Sequence, residues 1–124
     1  MAEPHGWAIE EYRTASGESP VRTLLHSLEK RDLADALALI KLAEERGNQL
    51  REPHSKALGG GLYELRGKQV RLFYIFGPGR RVITLLSGII KKQDRIPEAA
   101  LEQARRFKAD LEAIAKQPKN VRKA

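Results

Sequence analysis

Residues 62–76 read LYELRGKQVRLFYIF, and this stretch decides the fold. It contains two runs rich in branched and aromatic residues, Leu62 to Arg66 and Gln69 to Phe76, on either side of Gly67-Lys68. A glycine-containing pair between two such runs is typical of a two-residue β-hairpin turn. The sequence therefore predicts two antiparallel strands joined by a tight turn at its centre.

Further strands are predicted on both sides of this hairpin. Gly77-Pro78-Gly79-Arg80 has the composition of a turn and leads into an apolar run from Arg81 to Ile90. Near the N-terminus, Trp7 to Arg13 alternates loosely between apolar and polar residues, which also indicates a strand. The polar segment 48–60 is interpreted as a connecting loop.

Three helices complete the predicted elements. Ser19 can cap a helix that begins at Pro20, because proline at the first helical position loses no hydrogen bond. Asp32 can cap a second helix, which Gly47-Asn48 ends in the usual left-handed manner. Pro97 begins a third helix with its own apolar stripe.

This order of elements predicts an α+β fold. It has an N-terminal strand, a helical hairpin, a three-stranded antiparallel meander and a C-terminal helix. The length of 124 residues suits one domain. We expect that domain over residues 1–117, followed by a basic flexible tail over residues 118–124.

The composition narrows the classes of function. With 23 Lys+Arg against 16 Asp+Glu, the net charge is +7, which favours polyanionic partners. The absence of cysteine excludes disulfides, thiolate nucleophiles and cysteine-ligated metals. The histidines lack metal-ligand spacing with carboxylates, so neither a metal nor a cofactor is expected. The apolar runs are far shorter than the ~20 residues of a membrane span, so we expect a cytoplasmic protein without membrane contact.

The predicted register divides the sheet into two faces. In this register Glu64 faces Arg71 and Arg66 faces Gln69. One face is apolar, and we expect it to pack on the helical hairpin. The other face is mixed, with lysines close to it: Glu64, Arg66, Gln69, Arg71, Phe73, Thr84 and Gly88, together with Lys56, Lys91 and Lys92.

The mixed face has two interpretations. A sheet often leaves one charged face in water, and Glu64 opposite Arg71 can be an ordinary ion pair. Clustered cations are better tolerated where an anion binds, and arginine forks suit phosphate oxygens. Phe73 is either a packing residue or a ring on which an unpaired base stacks. His54, in the loop leading to this face, is either a proton donor or a solvated histidine.

Three motifs taken together resemble a known family. They are Leu58-Gly59-Gly60-Gly61-Leu62-Tyr63-Glu64-Leu65-Arg66, Val70-Arg71-Leu72-Phe73-Tyr74, and Leu85-Leu86-Ser87-Gly88-Ile89-Ile90-Lys91-Lys92 followed by Pro97. This set resembles the phage-derived, HigB-type branch of the RelE/ParE toxins, whose order of elements also matches over essentially the whole chain. Two positions depart from the branch: Ser87 stands where it often has histidine, and Ile89 where it usually has phenylalanine.

The resemblance implies the toxin of a type II toxin–antitoxin system. Such toxins are metal-free endoribonucleases that cleave mRNA, often on the translating ribosome, and the partner in this branch is a helix-turn-helix antitoxin. The predicted catalytic residues are Arg66 and Arg71, carried over as phosphate contacts, and Lys91. The predicted RNA-binding residues are Lys56, Lys92, Phe73 and Glu64.

Two other functions stay open. One is a catalytically degenerate RelE-fold binding protein, which Ser87 in place of histidine favours. The other is a ParE-like poison of DNA gyrase, which shares the fold, although the stretch from Glu64 to Lys92 argues against it.

Overall fold

A five-stranded sheet organises the chain, in a computed structural model that describes residues 6–92 and 95–116. The strands are β1 (Ala8–Glu11), β2 (Ser55–Gly59), β3 (Leu62–Arg66), β4 (Val70–Phe76) and β5 (Val82–Ile90). Their spatial order is β1-β5-β4-β3-β2, with β1 parallel to β5 and the other neighbours antiparallel. The predicted α+β fold is confirmed. The predicted tail over residues 118–124 lies outside the described residues.

Strand β2 corrects the predicted connecting loop over residues 48–60. It pairs antiparallel with β3, with Lys56 opposite Glu64. The sequence SKALG contains no β-branched or aromatic residue, so its composition gives no strand signal. The strand exists because β3 offers an edge for pairing, and a lysine on the new edge is a common protection against further pairing. The sheet therefore has one strand more than predicted.

The helical hairpin consists of α1 (Pro20–Ser27) and α2 (Lys30–Arg46). Ser19 Oγ accepts a hydrogen bond from Arg22 N at 3.1 Å, which confirms the predicted cap. Helix α2 begins earlier than predicted, so the predicted Asp32 cap is wrong. Asp32 lies in the first turn, where its negative charge is favourable next to the positive end of the helix dipole.

Gly47 ends α2 as predicted, with a φ of 51°. A Cβ atom at this position would lie only 2.1 Å from the indole ring of Trp7. Trp7 is tied to the same end of α2 because its backbone N donates to Glu44 O at 2.9 Å. The missing side chain therefore lets the first residues before β1 pack directly on the end of the helix.

Two apolar cores lie on opposite faces of the sheet. The first joins the helical hairpin to the predicted apolar face, and its fully buried residues include Ala36, Leu65 and Leu72. The second lies under the C-terminal helix α3 (Glu98–Ala115), which begins directly after Pro97 as predicted. The mixed face is therefore largely covered rather than open, because α3 packs on Phe73 and on apolar residues next to it: Leu62, Ile75 and Leu86.

The turn between β3 and β4 differs from the predicted turn by one residue. Gly67 N donates to Val70 O at 2.9 Å, so Lys68-Gln69 forms the two-residue turn. Arg66 then pairs with Arg71, and the predicted pairing of Arg66 with Gln69 is wrong. The long-range bond from Lys68 N to Asp35 Oδ2, at 2.9 Å, holds the turn in this position against α2.

The corrected register between β3 and β4 changes pairs but not faces. On β5 the predicted face of Gly88 is wrong, because Gly88 pairs with Leu72 and a Cβ atom there would lie 2.7 Å from Leu24 of α1. Glu64 lies opposite Phe73 instead of Arg71, which is a shift of two positions along β4. Side chains alternate between faces with a period of two, so a shift of two leaves each one on its predicted face. A bulge between Phe73 and Tyr74 then sets the pairing with β5, in which Phe73 faces Ser87 and Arg71 faces Ile89.

An ion pair ties β1 to α1 and gives a test of this packing. The Arg22 guanidinium donates to Glu11 through Nε at 3.0 Å and Nη2 at 2.5 Å. Hydrogen bonds from Arg22 and then Ser19 hold the pKa of Glu11 at about 2, below its ordinary value of 4.5. The pair therefore contributes stability above pH 4.5, and this contribution is lost as the pH falls towards 2.

We expect Glu11→Gln to lower the melting temperature at neutral pH, and the difference from wild type to shrink as the pH falls from 4.5 to 2. Thermal melts followed by circular dichroism across this range measure the effect. Glu10→Gln, at an exposed position on the same strand, is the matched control and should change little. A difference that stays constant with pH would contradict the assignment.

Candidate functional site

Two rows of side chains cross the sheet near the turn between β3 and β4. The first row contains His54, Arg66, Arg71 and Ile89, and the second contains Lys56, Glu64, Phe73 and Ser87. Directly opposed residues in neighbouring strands project to the same side of the sheet. The strand pairing therefore brings two arginines and one carboxylate from β3 and β4 next to one another.

Glu64 lies between the two guanidinium groups. Its Oε2 is 3.6 Å from Arg66 Nε, and its Oε1 is 3.9 Å from Arg71 Nε. The side chains of Glu64 and Arg71 are 4% and 9% exposed, while that of Arg66 is 29% exposed. Burial of a charge is costly unless it is paired, so Glu64 is the counter-charge that lets the arginines sit side by side. Arg66 is the member of the trio that faces solvent.

Backbone carbonyls hold the Arg71 side chain in place. Its Nη1 donates to Gly67 O at 2.7 Å and to Val70 O at 3.0 Å. Burial lowers the pKa of Arg71 from its ordinary value, Glu64 opposes this shift, and Arg66 adds to it. An arginine remains charged even so, and its guanidinium is pre-positioned by contacts that do not involve a ligand.

Three buried polar atoms in these rows lack a hydrogen-bond partner. Among the described residues, the buried side-chain atoms without a partner are Glu64 Oε1, Arg71 Nε and Ser87 Oγ. Buried polar groups are nearly always satisfied in folded proteins, so such atoms call for an explanation. Their gathering in two adjacent rows indicates a place where a polar ligand or solvent completes the hydrogen bonding.

A groove of about 470 Å³ opens beside the arginine pair. Its lining includes both arginines and His54, with Asp35, Leu39, Pro53, Gly67 and Lys68 around them. His54 enters the site because Arg66 N donates to His54 O at 2.9 Å, which extends the β2–β3 ladder by one residue. The sequence left His54 open between two interpretations, and the alternation His54, Lys56 was the signal that could have placed it beside Arg66.

The predicted lysines lie at different distances from this groove. Lys56 is exposed and in register with Glu64. Lys91 N donates to Gln69 O at 2.6 Å, which places Lys91 beside the turn between β3 and β4. Lys92 follows it and is exposed. The end of β5 therefore brings both lysines to the end of the sheet that contains the turn between β3 and β4.

Phe73 occupies a different environment from the one predicted for an RNA-binding residue. Its ring has no exposed surface and packs in the second core under α3. A base cannot stack on a ring that is covered on both sides. Phe73 is therefore not part of the candidate site. Its place in the second row is structural, between Glu64 and Ser87.

Within residues 6–92 and 95–116, no three histidine, aspartate or glutamate side chains are grouped closely enough to hold a metal ion. None of the helices there combines the length and the apolar character that crossing a membrane requires.

A family model covers most of the chain and includes the whole candidate site. The model described as phage derived protein Gp49-like (DUF891) matches residues 23–109. The chain belongs to this family. The Gp49-like proteins are a RelE-like toxin family, so the predicted family is confirmed. The match includes α2, strands β2 to β5 and the start of α3.

The same fold occurs in a solved structure. The archaeal RelE–RelB complex from Pyrococcus horikoshii OT3 is similar at 20% identity and a TM-score of 0.51, over 70% of this chain and 97% of that chain. The toxin–antitoxin complex RelBE2 from Mycobacterium tuberculosis has 22% identity and a TM-score of 0.47, over 75% of this chain and all of that chain. No curated protein gave a significant match.

The role of Glu64 can be tested through stability. Glu64→Gln keeps the size of the side chain and removes the negative charge between two guanidiniums. We expect a loss of about 2–3 kcal/mol in the free energy of unfolding, below the value for a fully buried pair because Arg66 is partly exposed. Chemical denaturation measures the loss.

Glu102→Gln, on the exposed side of α3, is the matched control and should stay within about 0.5 kcal/mol of wild type. Sulfate should raise the melting temperature of Glu64→Gln more than that of wild type, because an anion replaces the lost counter-charge. Equal stability of Glu64→Gln and wild type would show that the carboxylate does not balance the arginines.

Proposed function

We propose that this protein is the toxin of a toxin–antitoxin system and acts as a metal-free endoribonuclease on mRNA in the cytoplasm. The observation that carries the proposal is the arginine pair, Arg66 beside Arg71, facing a groove that also contains His54. Membership of a RelE-like toxin family supports it. The proposed substrate is mRNA on the translating ribosome.

The proposed reaction uses a nucleophile that the RNA itself supplies. The 2′-oxygen attacks the adjacent phosphorus as the bond from phosphorus to the 5′-oxygen breaks, leaving a 2′,3′-cyclic phosphate and a 5′-hydroxyl. A base removes the 2′-proton and an acid protonates the 5′-oxygen. The transition state carries extra negative charge on the phosphate oxygens, where fixed guanidiniums give the largest stabilisation.

The residues divide these tasks according to their surroundings. Arg66, the exposed arginine, binds the phosphate oxygens, and Arg71 supports the charge from its fixed position. His54 lines the groove, and an imidazole is the commonest general acid or base in enzymes, so His54 is our proposed acid or base. Lys91, beside the turn, is the proposed second proton-transfer residue, while Lys56 and Lys92 hold the RNA backbone. Glu64 acts as a positioning residue for the two arginines.

The proposed partner is a helix-turn-helix antitoxin. The chain carries a net charge of +7, and the exposed Lys68 lines the arginine groove. Lys56 and Lys92 are also exposed, the first in register with Glu64 and the second directly after Lys91. An antitoxin segment with acidic side chains would complement this surface and block access of RNA to the arginines. Release of the antitoxin would then expose the proposed site without any change in the toxin itself.

Expression of the chain alone tests the proposal. Wild type should arrest growth and produce new mRNA ends that primer extension maps. Arg66→Ala and Arg71→Ala should each reduce cleavage by about 10²–10³-fold, the usual cost of removing one charge-stabilising donor. Arg80→Ala, in the turn at the other end of the sheet, removes the same charge and should cleave like wild type.

Intact transcripts and normal growth, with folded wild-type protein confirmed by circular dichroism, would refute the endoribonuclease. A catalytically degenerate binding protein predicts this result. Growth arrest with intact transcripts would point to the gyrase alternative, which a supercoiling assay with purified gyrase measures directly.

Substitutions of His54 and Ser87 differ in their expected effects on the rate of cleavage. His54→Ala should slow cleavage by about 10²–10⁴-fold, the usual contribution of general acid–base catalysis. Ser87→Ala should leave cleavage unchanged, because Ser87 is buried and its Oγ has no partner to lose. Single-turnover cleavage of a short RNA by purified protein measures both rates. A large loss with Ser87→Ala and none with His54→Ala would reverse the assignment.

A further inference from the structure

A second recess lies across the segment 50–55 from the arginine groove. It has a volume of about 440 Å³, which is within the usual range for a small-ligand site. Its walls are four aromatic rings and four other residues: Trp7, Tyr63, Tyr74 and Phe76, with Asn48, Leu50, Arg51 and Ser55. The proposed cleavage reaction uses none of these residues.

The aromatic rings form a fixed assembly. Tyr63 stacks on Tyr74 with ring centroids 5.4 Å apart, and Phe76 meets Tyr63 edge-on at 5.1 Å. Trp7 meets Phe76 at 5.7 Å and is itself held against Gly47. Trp7, Tyr63 and Phe76 are only half-buried, so parts of three rings remain accessible. The recess therefore offers aromatic surface without the entropic cost of ordering side chains on binding.

Polar groups stand at the rim and at the floor of the recess. The Arg51 guanidinium is held at the rim, since its Nη1 donates to Asn48 O at 3.1 Å and to Leu50 O at 2.9 Å. At the floor, Ser55 Oγ and Tyr74 OH are buried and lie 2.7 Å apart. That hydrogen bond uses one of their two protons, and the other can be donated to a ligand. The recess thus combines aromatic walls, a cation and a buried hydroxyl donor.

We propose that this recess binds one unpaired nucleobase of the RNA whose phosphate lies on Arg66 and Arg71. The inference rests on the proposed function and adds a base-binding subsite to it. Aromatic rings next to cationic groups are the usual means of binding single-stranded nucleic acid. Among residues 6–92 and 95–116, none that lines the recess is acidic, and the cation Arg51 is one of them, so the surroundings suit an anionic chain.

Neighbouring residues of one segment line the two sites, so a single RNA molecule can reach both. Pro53 and His54 line the arginine groove, while Arg51 and Ser55 line the recess. His54 and Ser55 are consecutive residues, whose Cα atoms are about 3.8 Å apart. A strand that crosses this segment can therefore place a phosphate on one side and a neighbouring base on the other.

Trp7 provides a direct readout because it is the only tryptophan in the sequence. The probe is a 2′-O-methyl oligoribonucleotide of about eight nucleotides, a length typical of single-strand sites, which cannot be cleaved through its 2′-oxygen. Its addition should quench Trp7 fluorescence. Abasic substitution at one position should remove the quenching and weaken binding about tenfold, within the range for loss of one stacked base.

Variants separate the recess from the arginine groove. Tyr63→Ala should weaken binding about tenfold and make the abasic substitution silent, because the two changes remove the same contact. Tyr63→Phe is the matched control and should bind like wild type. Arg66→Ala should weaken all the oligonucleotides equally, with the positional pattern unchanged. If Tyr63→Ala fails to fold, Arg51→Ala at the exposed rim should weaken the same oligonucleotide and spare the abasic one.

Binding without quenching, or equal binding by wild type and Tyr63→Ala, would overturn the proposed subsite. Quenching of Trp7 by an antitoxin but not by the oligonucleotide would also overturn it, since the recess would then be a protein-binding site. Position-specific quenching together with an absence of mRNA cleavage in cells would support the subsite while refuting the endoribonuclease. The failure of one proposal is therefore distinguishable from the failure of the other.

Discussion

The carboxylate of Glu64 is the interaction on which the candidate site depends. Two guanidiniums on adjacent strands repel each other, and their burial in the sheet is tolerated because one negative charge lies between them. Arg66, Arg71 and Lys68 bring three positive charges to the groove, and the carboxylates of Glu64 and Asp35 bring two negative ones, which leaves a formal net charge of +1. The site is thus stable without a ligand and still carries one uncompensated positive charge, which favours the binding of an anionic group.

The faces of β3 and β4 were predictable from the sequence, whereas their pairing and the face of Gly88 on β5 were not. Because side chains alternate with a period of two, Glu64, Arg66 and Arg71 share one face in the predicted register of β3 and β4. They also share it in every register that differs from this one by an even number of residues. The choice among those registers depends on the contact between Lys68 N and Asp35, which lies more than thirty residues away in the sequence. The position of His54 beside Arg66 could not be predicted from the local sequence for a similar reason, because β2 forms only by pairing with β3.

The second core explains why Phe73 was misread. The residues that share its predicted face include Glu64, Arg66 and Arg71, and this pattern resembles a solvated face with one exposed ring. The stripe of α3 is visible in the sequence, but an apolar stripe does not specify which apolar surface it covers. The surface exists only after pairing has brought Leu62, Ile75 and Leu86 together around Phe73. The covered part of the face is therefore a tertiary property, while the uncovered end keeps the charges.

The position of β1 has a consequence for synthesis of the chain. Ala8 in β1 pairs with Val82 in β5, which lies far later in the sequence. The parallel edge of the sheet therefore forms only after β5 has been synthesised. Pairing between segments so distant in sequence is slow compared with local hairpin formation. The arginine groove in turn needs β2, β3 and β4 in place. A partly synthesised chain therefore carries the charges of the site before β2, β3 and β4 have paired to form it.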